Sequence, residues 1–154
     1  MSFYSDKVIP FFYDNAMNKR VQERISASKI EVDNKVINGE ELPFEDESFD
    51  SVVSTFTLCS IHNIDKALKD IYRMLKPDGK FFFQEDGLAN NPEIRKWQNR
   101  INPFQKVWAD GCNLNRNIKL LIENAGFNIT EYKNYFLEKG PKTHTFMYEG
   151  IACK

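Results

Sequence analysis

Hydrophobic positions along the chain fall into short blocks whose spacing predicts alternating helices and strands. Residues 7–17 (KVIPFFYDNAM) are apolar and aromatic, and residues 17–27 carry Met17, Val21 and Ile25 at helical spacing among charges. Both segments read as helix, with Pro10 near the start of the first. Over Lys29–Ile37 the apolar residues Ile30, Val32, Val36 and Ile37 are interleaved with polar ones, as in a short strand or strand pair. A polar loop occupies Gly39–Phe49. Asp50–Phe56 (DSVVSTF) is rich in small and β-branched residues and reads as a buried strand, since apolar runs covered on both faces mark parallel sheets. Ile64–Lys76 then places Ile64, Leu68, Ile71 and Leu75 on one helical stripe. Pro77-Asp78-Gly79 stops that helix, and Lys80–Gln84 (KFFFQ) is the next strand. Strand, helix, turn, strand is a βαβ unit.

Beyond it, residues 92–109 pattern as a helix interrupted at Pro103, and Asn115–Ala125 as an amphipathic helix ended by Gly126. Phe127–Tyr132 and Thr143–Ala152 are strand candidates joined by a loop with Gly140-Pro141, and their short separation predicts an antiparallel pair. No linker, repeat or low-complexity segment interrupts the pattern, so residues 1–154 are expected to form one α/β domain.

Composition changes this picture little. The 154 residues are 42% hydrophobic and 28% charged, ordinary for a globular protein. The aromatic excess, 14% with 13 Phe, suits a packed core or an apolar pocket, core being the commoner use. Lys and Arg total 21 against 22 Asp and Glu, interspersed, which gives no electrostatic case for nucleic acid or an anionic membrane as main partner. Cys59, Cys112 and Cys153 are far apart and lack CxxC spacing, arguing against a zinc site or disulfide framework and fitting a reducing cytoplasm. No metal is expected. The N-terminus has no signal-peptide pattern, and no apolar run approaches the ~20 residues needed to span a bilayer.

The stretch Gly39–Gly87 carries LPF, then SFD leading into a strand, then LKPxGK leading into another strand. In that combination it resembles the central motifs of class I S-adenosylmethionine-dependent methyltransferases, specifically the branch of quinone-biosynthesis C-methyltransferases and thiol-methyltransferase-like proteins. Asp110–Asn117 (DGCNLNRN) is similar to the segment after the fifth strand in the thiol-methyltransferase-like branch. The resemblance implies a Rossmann-like sheet with flanking helices, S-adenosylmethionine as cofactor, and a small apolar, thiol or quinone-like acceptor. It places Asn38, Gly39 and Glu40, with Leu42 beyond them, at the adenine side, and Thr55, Thr57, Leu58 and Cys59 at the methionine end. Each has a bland alternative: a turn glycine, a strand-end hydroxyl, a small buried thiol.

The family's glycine-rich cofactor loop has no counterpart here. The seven glycines, at 39, 79, 87, 111, 126, 140 and 150, include no GxG, and none precedes Gly39. SFYSDKVIPFFYDNAM resembles the helix before the family's first strand and MNKRVQERI the helix after its second, and the two run together at Asn15–Met17. An internal deletion is the natural explanation: the first two strands and the loop between them are expected to be missing. The strand Asp50–Phe56 would then be an open edge, and a homodimer or swapped assembly covering it is favoured over a rearranged monomer.

Methyl transfer from a sulfonium depends mainly on positioning. A general base would help a thiol, hydroxyl or carbon-acid acceptor, and Glu85 and Asp86 follow the KFFFQ strand where such a group would face the pocket; solvated strand-end carboxylates are the alternative. His62 reads as a cap or surface residue. Acceptor recognition would fall to Trp97, Phe104, Trp108, Asp110, Asn113 and Arg116, although aromatics at 97, 104 and 108 share a helical face that more often means core packing. Activity of this chain is expected to be weak or absent, and a non-catalytic binding or oligomerisation module is the alternative.

Overall fold

The computed structural model describes residues 42–109 and 111–154, with Glu23, Ser26 and Ala27, which are helical. Apart from those three, the segments expected as helix over 7–27 and as strand over 29–37, and with them Asn38, Gly39 and Glu40, lie outside the described residues, as does Asp110. By internal contacts the chain divides into two compact units, Ser2–Ile37 and Asn38–Lys154, and every element named below belongs to the second.

The elements in order are β1 (Phe49–Thr55), α1 (Ile64–Met74), β2 (Leu75–Asp86), α2 (Pro92–Trp108), α3 (Ile118–Asn124), β3 (Asn128–Phe136) and β4 (Phe146–Cys153). They form a four-stranded sheet in the order β1-β2-β4-β3. β1 and β2 run parallel across α1, as the βαβ pattern requires, and β4 pairs antiparallel with both β2 and β3.

α1 begins where the Asn63 side chain accepts from the Lys66 amide at 3.2 Å, with Asp65 in the first turn and Arg73 in the last, both favourable to the helix dipole. Ile64, Ala67, Leu68, Ile71 and Met74 form its buried stripe. The helix stops at Met74, two residues short of the expected end, because Leu75 is already extended and pairs with Phe49. The next partners are Ser51 and Lys80, so Lys76–Gly79 loops out inside the nominal strand. This is the expected Pro77–Gly79 turn, absorbed into β2. It is tight enough that a Cβ on Gly79 would lie 2.9 Å from both Leu75 Cδ2 and the Lys76 carbonyl.

One sheet face carries the core. Val52, Phe81 and Phe83 lie buried there with Ile118, Ile122 and Phe127; the Phe127 ring lies tilted against Phe81 at 5.3 Å and edge to face with Tyr72 at 5.1 Å. Burying a side chain such as Phe81 contributes about 2–3 kcal/mol. The other face departs from expectation. β1 is not covered on both sides, for Val53 is 55% exposed. A cavity of about 690 Å³ opens on that face between residues that include Val53, Phe82, Gln84, Tyr132, Glu149 and Ile151. Among the described residues β1 pairs on one side only, with β2.

Three further boundaries differ from the periodicity reading. α2 runs unbroken through Pro103, an exposed position. α3 is shorter than Asn115–Ala125 because Asn117 caps it, its side chain accepting from the Leu120 amide at 3.2 Å. β3 and β4 are the expected antiparallel pair, shifted to Asn128–Phe136 and Phe146–Cys153.

Candidate functional site

The parallel strands end side by side, and the chemistry-bearing residues gather at those carboxyl ends. β1 leaves the sheet at Phe56, a non-glycine residue at φ 49°, whose amide still bonds the Gln84 carbonyl at 3.0 Å. The sharp turn it starts, Thr57–Leu58–Cys59, is buried. Glu85 fixes this turn from β2. Its side chain is fully buried, one oxygen accepting from Ser54 Oγ at 2.6 Å and the other from the Thr57 and Leu58 amides at 2.8 and 3.0 Å. Burial outweighs these donors and pushes the Glu85 carboxyl up to about 7. Neither sequence alternative for Glu85 describes this: it is not a solvated carboxylate, and both oxygens are committed to holding the turn.

Asp86, the last residue of β2, is also buried, and its carboxyl is raised mainly by desolvation, partly offset by a hydrogen bond from the Cys59 thiol. Cys59 in turn meets Cys112 from the loop after α2. This contact, with burial second to it, pushes the Cys59 thiol far up, and the same contact draws Cys112 down. The donor atoms of Cys59, Asp86 and Cys112 all lie within 4.8 Å of one another. Asn113 closes the loop onto the turn, donating from its amide and Nδ2 to the Cys59 carbonyl at 2.9 and 3.0 Å. Arg116 donates to the Leu58 carbonyl, and its half-buried guanidinium is held down by desolvation.

Two residues that sequence reasoning missed hold this arrangement together. Gln98, buried on α2, accepts from the Ala89 amide at 2.8 Å and donates to the carbonyls of Gly87 and Thr143 at 2.9 and 3.0 Å. Asn102, one turn on, accepts from the Leu114 amide at 2.8 Å. The inward face of α2 is therefore polar, and its aromatics turn out: Trp97, Phe104 and Trp108 are 54%, 70% and 81% exposed. The expectation that these three pack into the core is corrected, because the backbone of two loops claims the inner face. The signal in the sequence was Gln98 and Asn102 at i, i+4 spacing.

The structure thus brings Thr57, Leu58, Cys59, Glu85, Asp86, Asn113 and Arg116 to one place. Thr55 is exposed, just before the turn, and His62 is exposed ahead of the Asn63 cap. Leu42 lies elsewhere. It belongs to a loop bound by Arg73 at the far end of α1, whose guanidinium donates to the carbonyls of Leu42 and Phe44 at 3.2 and 2.8 Å and pairs with Asp46. That end is where β1 begins, roughly 20 Å along the strand from the Thr57–Cys59 turn.

The polar groups of the turn are already partnered: Thr57 Oγ1 donates to the Thr55 carbonyl at 2.8 Å, the amides of Thr57 and Leu58 go to Glu85, and the carbonyls of Leu58 and Cys59 to Arg116 and Asn113. The turn therefore fits a cofactor as an apolar wall. Hydrogen bonds to a cofactor's amino-acid and ribose ends would come from other residues.

This geometry has counterparts of known kind. A family model described as a methyltransferase domain matches residues 4–83. The ubiquinone/menaquinone biosynthesis C-methyltransferase UbiE of Brucella canis is 33% identical over 116 residues, covering 64% of this chain and 43% of the relative. The human thiol S-methyltransferase TMT1A is 37% identical over 84 residues, covering 54% and 34%. The chain thus spans less than half the length of these curated relatives. Among solved structures, an S-adenosylmethionine-dependent methyltransferase of Methanosarcina mazei aligns with a TM-score of 0.64 at 21% identity over 88% of this chain and 76% of its own. A Bacillus halodurans protein of the same fold gives 0.61 at 15% identity over 87% and 74%. With its parallel β1-α1-β2 unit, its antiparallel β3–β4 pair and a family match over more than half its length, the chain belongs to the methyltransferase-domain family and has the Rossmann-like α/β fold of class I S-adenosylmethionine-dependent methyltransferases.

Proposed function

We propose that the chain forms the acceptor side and the methyl-facing wall of a methyl-transfer pocket at the ends of β1 and β2, and that on its own it transfers methyl groups slowly or not at all. One observation carries this reading: the buried turn Thr57–Cys59, stapled by Glu85, lies against Asp86 and under the Cys112–Arg116 loop. S-adenosylmethionine, when bound, supplies an electrophilic sulfonium methyl. The chain's own residues would position the acceptor and exclude water. Glu85 acts as a positioning residue. Asp86, one residue on and buried beside Cys59, is the better placed carboxylate to take a proton from the acceptor.

The acceptor is proposed to be small and apolar, of thiol or quinol type, in keeping with the C-methyltransferase and thiol S-methyltransferase relatives. Slow transfer follows from the missing GxG loop, which leaves the cofactor's polar ends without the backbone amides that usually receive them. We attribute this to an internal deletion at Asn15–Met17. The pairing of β1 on one side only, among the described residues, supports a second copy of the chain across that edge.

The same two features favour a second reading, a non-catalytic module that keeps half the fold for binding or assembly. Incubation with methyl-labelled S-adenosylmethionine and a small alkyl thiol separates the two. Label appearing in the thiol, and lost on Asp86→Asn, supports the enzyme reading; no transfer by this chain or by one with a grafted glycine loop supports the module.

A further inference from the structure

We infer that Cys59, Cys112 and Asp86 form a binding site for a soft divalent cation of the zinc class. The spacing of the cysteines along the sequence gives no metal motif, yet the fold delivers the three side chains from three separate segments: the turn after β1, the end of β2, and the loop after α2. Their donor atoms lie within 4.8 Å of one another. Ligands sharing a tetrahedral zinc ion, at about 2.3 Å for sulfur and 2.0–2.2 Å for oxygen, sit roughly 3.5–3.8 Å apart, so closing on a cation takes shifts of about an ångström or less.

The three segments are held independently of any ion. The Cys59 carbonyl receives both the amide and Nδ2 of Asn113, directly after Cys112. The amides of Cys112 and Gly111 bond back to the carbonyls of Ala109 and Lys106 at 3.0 and 2.9 Å, tying the loop to the end of α2. Glu85 locks the residues before Cys59 to the one before Asp86. Such support on rigid elements is what pre-orients ligands.

Charge favours the same occupant. Asp86 is a buried carboxyl with no ion pair among the described residues; its contact is the Cys59 thiol, with His144 acting only at a distance. Two thiolates and a carboxylate would carry three negative charges, which a dication and the adjacent Arg116 guanidinium balance; Asp86 so engaged takes no proton, and its role as base belongs to the metal-free chain. Two sulfurs select a thiophilic ion over magnesium or calcium. Among the described residues no fourth ligand joins the group, which leaves one coordination position for water or an incoming thiolate, as in catalytic rather than structural zinc sites.

The test is a Cd²⁺ titration of the full chain, reduced and stripped of metal, followed by the ultraviolet thiolate-to-cadmium charge-transfer band, with no S-adenosylmethionine present, so that its outcome is independent of methyl transfer. The expected result is one Cd²⁺ per chain, displaced by Zn²⁺, with affinity falling by about tenfold or more in Cys112→Ser or Asp86→Asn. Cys153→Ser should bind unchanged, since Cys153 pairs with Lys80, roughly 20 Å along β2 from Asp86. Cys59→Ser acts in the core, so Cys112→Ser, on a half-buried loop and checked by circular dichroism, carries the test; Cys112→His should bind Zn²⁺ while losing part of the band. No uptake by the reduced chain, uptake that survives Cys112→Ser, or a Cys59–Cys112 disulfide forming in place of uptake would overturn the assignment.

Discussion

Removing the Glu85 carboxylate should loosen the site and the whole fold at once. In Glu85→Ala the Thr57 and Leu58 amides and the Ser54 hydroxyl lose their acceptor inside a region from which water is excluded. Each orphaned buried donor costs about 1–3 kcal/mol, so three cost roughly 3–9 kcal/mol before relaxation. Against that stands the carboxylate's own burial. A group raised from 4.5 to about 7 is disfavoured in its charged form by about 3 kcal/mol, and roughly half of the molecules carry that charge at neutral pH. From the middle of that range, about 6 kcal/mol, this leaves a net loss of about 3 kcal/mol. With a urea m-value of roughly 1.5–2 kcal/mol/M for a chain this size, the unfolding midpoint read by far-ultraviolet circular dichroism should fall by about 1–2 M. Glu85→Gln keeps the shape and one acceptor and should lose about half as much. A change in midpoint equivalent to less than about 0.5 kcal/mol for Glu85→Ala would refute the staple, because the turn would then have other means of satisfying its amides.

Further outcomes follow from the same geometry. Because the folded-state pKa of Glu85 lies above its unfolded value, the native state binds the proton more tightly, and the stability that Glu85 contributes should be fully present below about pH 4.5 and be lost as pH rises through about 7; Asp86, also raised, adds in the same direction, and Glu85→Gln should flatten the urea-midpoint profile across that window. Gly87→Ala should cost about 2 kcal/mol or more in urea unfolding and displace the Arg116 loop, since its Cβ would lie 2.5 Å from the Arg116 carbonyl; an unchanged midpoint would show that the loop yields freely. Arg73→Ala frees the loop from Leu42 to Asp46 and should lower thermal stability by about 1–2 kcal/mol, much of its charge being solvent-screened. Sedimentation velocity should find a concentration-dependent dimer; a monomer at all accessible concentrations would remove the proposed partner from β1.

The βαβ unit was legible because its apolar stripe at Ile64, Leu68, Ile71 and Leu75 and its Pro77–Gly79 turn are local signals, and local signals place elements well. The two-residue error at the end of α1 arose because strand pairing with Phe49 overrode helical periodicity at Leu75. On α2 the aromatics Trp97, Phe104 and Trp108 share a helical face, yet that face is exposed. Its aromatic stripe satisfied the usual rule for a buried face, but the loops after β2 and before α3 needed side-chain amides, which Gln98 and Asn102 provide. Pro103 did not interrupt it; the helix runs on through this exposed position. At the site, the neighbours Glu85 and Asp86 were visible as a pair, whereas the meeting of Cys59 with Cys112 depends on tertiary packing and leaves no trace in spacing.

Isothermal titration with S-adenosylmethionine, run on this chain and on one in which Asn15–Met17 is replaced by a glycine-rich loop with its flanking strands, tests the central claim that one wall of the pocket is intact while the loop that holds the cofactor is missing. The account predicts little or no heat for the chain as it stands and stoichiometric binding for the grafted one. Equally tight binding by both, or none by either, would contradict it.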